Sequence, residues 1–398
     1  MVPELRRAYN AAFSEERYRA MCAWLEREGG SPVDFRISET PVFLDAALAR
    51  ELERAAWEIQ RQVANPAYLA IADQAIPPGR KVPGESRHPA ILQADFALAI
   101  GPGGAVVPRL IELQGFPSLF GFQWLLGRGY QAHFPAVPRD WLTFFSGLDE
   151  ESYARRLREF LLGDEDPESV VLLEVHPEQQ KTRIDFHTTE RMTGVRTVDA
   201  LAVRRRGRRL FYRRDGREIE IRRIYNRVIF DELERKRIDL SLVFAEPTDV
   251  EWLPHPDWFF KISKWSLPHL AGEFVPPCHF VSDLAAPPAD LESYVLKPIY
   301  SFAGLGVQVD VTRAALAAVD DPRSWILQRK VEYAPLVETP DGFSKVEVRM
   351  MFLWDREPQL VNSLVRMSKG RMLGVDFNKD KTWIGASVAF HPPLASGA

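Results

Sequence analysis

"YVLKPIYSFAGLGVQVD", residues 294–310, runs through β-branched and aromatic residues to Lys297, meets a proline, and enters a turn containing Ser301, Gly304 and Gly306. A lysine on a strand fixes one ammonium, and a turn poor in side chains lets backbone N–H groups approach an anion, so the stretch reads as a phosphate-holding loop. Its spacing is neither a Walker loop nor a dinucleotide-binding fingerprint, and a β-hairpin with a solvated lysine fits the same residues.

Neighbouring segments strengthen the phosphate reading. A second isolated lysine, Lys264, stands in "WFFKISKWSLPHL" (258–270), and "WILQRKVEYAP" (325–335) places Gln328, Arg329, Lys330 and Val331 at a strand end, where they would flank an adenine. Nucleotide chemistry needs a hard divalent ion with oxygen ligands. Glu112 and Gln114 in "LIELQGFPS" (110–118) lie two apart on an expected strand and so share a face, and Asp95 in "LQADFAL" (92–98) comes from the strand before. These three form the expected Mg²⁺ site. A rival set is Glu347 in "KVEVRMM" with Asp376 and Asn378 in "GVDFNKD". Arg349 and Arg366 sit mid-strand among apolar residues, where a guanidinium is costly unless paired, and either could stabilise charge during phosphoryl transfer. Arg227 and Asp231 in "IYNRVIFDEL" could pair with each other.

The composition bounds the rest. The 398 residues are 46% hydrophobic and 27% charged with a net charge of −4, ordinary for a globular chain and against a nucleic-acid or anionic-membrane partner. The basic run "RRRGRR" (204–209) reads as a solvated hairpin tip. Cys22 and Cys278 suit neither a zinc site nor a disulfide framework, which points to a reducing, cytoplasmic setting. The absence of a signal core or long apolar run argues against secretion or a membrane span. His187 and His279 read as structural.

Along the chain, 1–85 reads as a helical N-terminal region, ended by "AIPPGRKVPGES" (75–86). Residues 86–250 begin with two strands joined by "GPGG" and continue as a βα pattern; residues 251–398 hold the lysines and the late strands.

The order of these motifs resembles the circularly permuted ATP-grasp group, which includes the synthetase half of glutathionylspermidine synthetase. Ordinary ATP-grasp chains place the lysines before the metal-binding Glu-x-Asn strand; here "ELQGFP" precedes Lys264 and Lys297. Asp95 matches the aspartate of the group's Asp-Phe strand, Glu112 its metal glutamate, Lys297 its Lys-Pro strand, and Arg366 lies near its late arginine. Gln114 stands where the group has asparagine, and Gln93 where it often has arginine. The resemblance, over residues 87 to 390, implies an α+β ATP-grasp fold, mostly antiparallel sheets with flanking helices. It also implies an ADP-forming carboxylate–amine ligase that uses ATP and Mg²⁺ on small-molecule acid and amine substrates. Lys264 and Lys297 would hold the phosphates, with Arg366 and Arg349 serving catalysis. A degenerate ATP-binding module and a small-molecule kinase are the alternatives.

Overall fold

The computed structural model describes residues 1–301, 305–370, 378 and 380–394. Its centre is a six-stranded sheet in which Gly385–Ser387, Pro358–Ser368, Gly342–Trp354, Ile91–Ile100 and Val106–Gln114 lie side by side, with Pro335–Thr339 paired to Gly342–Trp354. Every pairing in it is antiparallel. Ile91–Ile100 and Val106–Gln114 are joined through "GPGG", where Gly103 and Gly104 adopt left-handed φ of 75° and 82°, as a tight connection requires. The period of two divides the sheet. Leu92, Ala94, Phe96, Val348, Met350 and Phe352 join the main apolar core, which helix Ala46–Val63 covers with Leu48, Leu52 and Ala55. The opposite face carries Gln93, Asp95, Glu112, Gln114, Glu347, Arg349 and Arg366.

A second sheet has four strands, Glu251–Leu253, Arg223–Asn226, Val170–Glu174 and Arg196–Asp199, all parallel. Val171, Leu173 and Ile224 feed one core and Val170, Leu172 and Tyr225 another, so this sheet is buried on both faces. That explains the unbroken apolar run "VVLL", and qualifies the expectation of mostly antiparallel sheets. A third, antiparallel sheet orders Cys278–Phe280, Trp325–Arg329 and Tyr294–Pro298, and it presents Lys297.

The N-terminal helices follow their sequence signals. Ser14 caps Glu15–Gly29, and Gly30 ends that helix at φ 73°. The region is not purely helical, because Val42–Phe43 pairs in parallel with Ala389–Phe390 near the other end of the chain. The arginine run forms a hairpin around Gly207, with its guanidiniums on Glu218, Asp249, Glu220 and Glu246. Among the described residues no helix is long and apolar enough to cross a membrane.

One close approach locks the site strand to its neighbours. Gly115 donates its N–H to the Ile262 carbonyl at 2.8 Å, and a Cβ there would stand 2.3 Å from the Trp258 carbonyl oxygen. Gly115→Ala must therefore push the strand away from helix Trp258–Lys261, and urea unfolding should show a loss of about 1–3 kcal/mol. A pH effect follows from Glu174, at the end of a parallel strand. Burial pushes its carboxyl up to about 8, against the pull of Arg227. Between the ordinary glutamate range and about 8 the folded state keeps a proton that the unfolded chain releases, so this residue makes stability fall as pH rises. Unfolding midpoints should decline across that window, and Glu174→Gln should flatten the decline.

Candidate functional site

Cross-strand register builds the polar face. Asp95 lies opposite Glu112 on one side and Arg349 on the other, while Glu347 lies opposite Arg366. Asp95 is fully buried. Its Oδ1 accepts from Arg349 Nε at 2.5 Å, and its Oδ2 accepts from Arg349 Nη2 at 2.7 Å and Arg366 Nη2 at 2.5 Å. Arg366 also pairs with Glu347, whose other oxygen accepts from the Tyr333 hydroxyl at 2.5 Å. Burial opposes the charge on Arg366, but Glu347, Asp95 and Glu112 more than restore it and hold the guanidinium charged.

Glu112 is the carboxylate that faces the opening. Burial opposes its ionisation, yet the summed field of Lys264, Arg366, Arg349 and Lys297 wins and brings its pKa down to about 2. Arg349 is 3.9 Å away, a contact looser than its fork on Asp95. Gln114 donates its amide N–H to Glu112 Oε1 at 2.9 Å, which leaves Gln114 Oε1 buried and without a partner.

Two lysines from different elements stand near Glu112, with no ion pair to it among the described residues. Lys297, buried on the third sheet, donates to Gln328 Oε1 at 2.6 Å and to the Ile111 carbonyl at 3.1 Å. Lys264, in the turn Lys264–His269, donates to the Ser301 carbonyl at 2.5 Å and to its hydroxyl at 3.1 Å. Burial lowers both lysine pKa values, and Glu112 is the largest force raising each. Leu296 and Gln308 exchange backbone hydrogen bonds at 2.9 Å, and Gly306 turns at φ 74°, so the segment after Lys297 folds back over its own strand. Gly304 lies outside the described residues. Glu112, Gln114, Phe116, Phe259, Lys264 and Ser301 line a cavity of about 50 Å³. That holds a water or two, whereas ligand sites run to several hundred Å³.

Several expected residues take other places. Asp95 is engaged by two guanidiniums, with one bond to Oδ1 and two to Oδ2. Gln328 bonds Lys297 and the Leu110 carbonyl, the latter at 3.2 Å. Arg329 turns outward to Asp290 and Tyr294, and Lys330 to the Glu292 carbonyl. Their backbone N–H groups donate to the Pro277 and Ser293 carbonyls. Of the rival metal set, Glu347 is held by Tyr333 and Arg366. Asn378 accepts from Ser368, Lys369 and Gly370, and Asp376 lies outside the described residues. Among the described residues no group of three or more His, Cys, Asp and Glu side chains is placed to hold a metal ion. Asp231 does not pair with Arg227; burial and Glu234 raise it to about 6, against Lys264 and Arg235. Tyr333 was not foreseen, although "EYAP" directly follows the stretch taken for the base.

The fold is thus that of a mixed α+β chain with a polar cleft between the central antiparallel sheet and the third sheet, which bears Lys297. A glutathione synthetase-like effector from Globodera pallida, solved in its apo form, is similar in structure over 96% of both chains, with a TM-score of 0.60 and 13% sequence identity. That likeness shows the fold, which is consistent with ATP-grasp. No family model and no curated protein sequence matches the chain.

The Asp95 pairing is testable through stability. Asp95→Asn leaves two buried or half-buried guanidiniums without their shared anion, and should cost about 3–5 kcal/mol in urea unfolding. A carboxylate waiting only for a metal would give a near-neutral substitution.

Proposed function

We propose that this chain is an ADP-forming carboxylate–amine ligase on a circularly permuted ATP-grasp scaffold. The observation that carries the reading is the placement of Lys264 and Lys297, from separate elements, beside Glu112: Lys264 lines the same cavity as Glu112, and Lys297 donates to the carbonyl of the adjacent Ile111. Two ammonium groups facing one carboxylate make a cradle in which phosphates and a cation can share charge. The residues fit Mg²⁺ in part. Glu112 supplies an ionised oxygen, and Gln114 Oε1 is a buried acceptor lacking a partner. Glu112 and Gln114 would hold the ion together with the phosphates, as Mg²⁺ sites commonly use one or two protein oxygens. When bound, the ion would supply charge neutralisation on the phosphate oxygens. Asp95 stays with its arginines.

Lys297 and Lys264 would hold the phosphates of ATP, with Ser301 released from Lys264 to admit them. Arg366, whose side chain is 39% exposed, would neutralise charge on the transferring group, and Arg349 would hold Asp95. A substrate carboxylate oxygen would attack the γ-phosphorus and release ADP. An amine would then attack the resulting acyl carbon, expel phosphate and lose a proton. Positioning and charge account for most of the rate in such transfers. The acid and amine belong to the amino-acid, peptide or polyamine class.

A second reading, an ATP-binding module without turnover, is favoured by one observation: the double arginine pairing of Asp95 takes that carboxylate away from the metal.

The test is ADP release from ATP and Mg²⁺ with paired pools of acids and amines. The ligase requires both pools, and Lys297→Ala should lower the rate at least about 100-fold with the fold retained by circular dichroism. Release with an acid or alcohol alone would mark a kinase, and binding without release would mark the inactive module.

A further inference from the structure

Two carboxamide oxygens on the polar face accept no hydrogen bond, and the scheme above uses only one of them. Gln93 and Gln114 stand directly opposite each other on adjacent antiparallel strands, next in register to Asp95 and Glu112. Directly opposed side chains start from Cβ atoms about 5 Å apart, so their ends can meet on one small group. The nitrogens orient both amides. Gln93 donates its Nε2 N–H to the Phe116 carbonyl, and Gln114 donates its own to Glu112 Oε1 at 2.9 Å. Turning either amide over would set oxygen against oxygen, so Oε1 is the unbonded atom in each. Both Oε1 atoms are buried without a partner, and Gln93 is fully buried. Two buried acceptors without donors are costly, and they call for a group that carries two donors.

Charge decides which donor group fits. Gln114 and Phe116, the residue that orients Gln93, line the cavity of about 50 Å³, which has room for an amino group. The fields of Lys264, Arg366, Arg349 and Lys297 already meet on the neighbouring Glu112. A further cation is repelled by these four groups, whereas an uncharged amine is not. Glutamine suits that uncharged form. A carboxylate would stabilise the ammonium, whose nitrogen has no lone pair left to react, while a neutral amide oxygen accepts N–H donors with a much weaker preference for charge.

We infer that Gln93 and Gln114 position the amine substrate: their Oε1 atoms take the two N–H donors of an uncharged primary amine and leave its lone pair free to attack. Gln114 Oε1 has two lone pairs, so the ion and the amine can share it, which sets the nitrogen beside the phosphates. On attack the C–N bond forms, the acyl C–O bond to phosphate breaks, and the extra proton passes to the departing phosphate. The pair selects primary amines over tertiary ones, which bring no donor. The attack rests on the ligase reading above; the amine subsite rests on the two oriented oxygens.

The experiment follows thermal unfolding of the full chain at neutral pH with three probes, on wild type, Gln93→Met and Gln93→Glu, each with and without ATP and Mg²⁺. The probes are aminoacetonitrile, a primary amine uncharged at that pH, N,N-dimethylaminoacetonitrile, which has no N–H, and methylammonium chloride. The expected result is a saturable rise in Tm with aminoacetonitrile, and a demand for at least about tenfold more of either other probe. Gln93→Met, which keeps the length but loses the acceptor, should need at least about tenfold more aminoacetonitrile than wild type. Gln93→Glu, which replaces the neutral acceptor by a carboxylate, should shift the preference toward methylammonium. No saturable response in wild type, an equal response to the dimethyl amine or to methylammonium, or a Gln93→Met response like that of wild type would each overturn the pair. Should Gln93→Met fail to fold, Gln93→Glu decides, and a probe preference unchanged from wild type would overturn it. A wild type that responds to aminoacetonitrile but not to ATP with Mg²⁺ would uphold the subsite and strike the ligase reading.

Discussion

The fork between Arg349 and Asp95, made across adjacent central strands and shared with Arg366, is the interaction on which the polar face depends. In a sheet whose reverse side is packed against helix Ala46–Val63, a lone carboxylate at this depth would be neutral or ruinous, and two guanidiniums make it permissible. The pairing also sets the charge pattern around it. With Asp95 committed, Glu112 is left as the ionised oxygen donor at the mouth, and the lysines answer to it. The sheet register fixes these relations: Glu112, Asp95 and Arg349 stand in one row across three strands.

The cleft is shut by local contacts of the kind that can be exchanged for a ligand. Lys264 is bonded to Ser301, and Lys297 to Gln328 and a carbonyl, all neutral acceptors that a phosphate oxygen would outcompete on charge. Phe116 lines the cavity beside Glu112 and also lies against the Arg227 guanidinium, 4.7 Å from its carbon.

Much of this was legible in the residues. Alternation exposed the strands bearing Asp95, Glu112 and Gln114; isolated lysines among apolar and aromatic residues marked Lys264 and Lys297; and "GPGG" marked a turn. What sequence could not supply was pairing. Asp95 reads as a metal ligand until strand Gly342–Trp354 is laid beside it, and the partner is 254 positions away. Gln328 reads as a base neighbour until Lys297 is found on the adjoining strand. Glu174 gave no signal at all, because its burial comes from packing on both faces of a sheet. Tyr333 was passed over since nothing local shows that its hydroxyl meets Glu347.

The most direct test of the account is equilibrium binding of ATP, with Mg²⁺ and with EDTA, to the wild type and to the Lys297→Ala and Glu112→Gln variants. The account predicts saturable binding that Mg²⁺ strengthens, that falls at least tenfold in Lys297→Ala, and that loses its Mg²⁺ dependence in Glu112→Gln. ATP binding unaffected by either substitution, or no binding to a folded wild type, would contradict it.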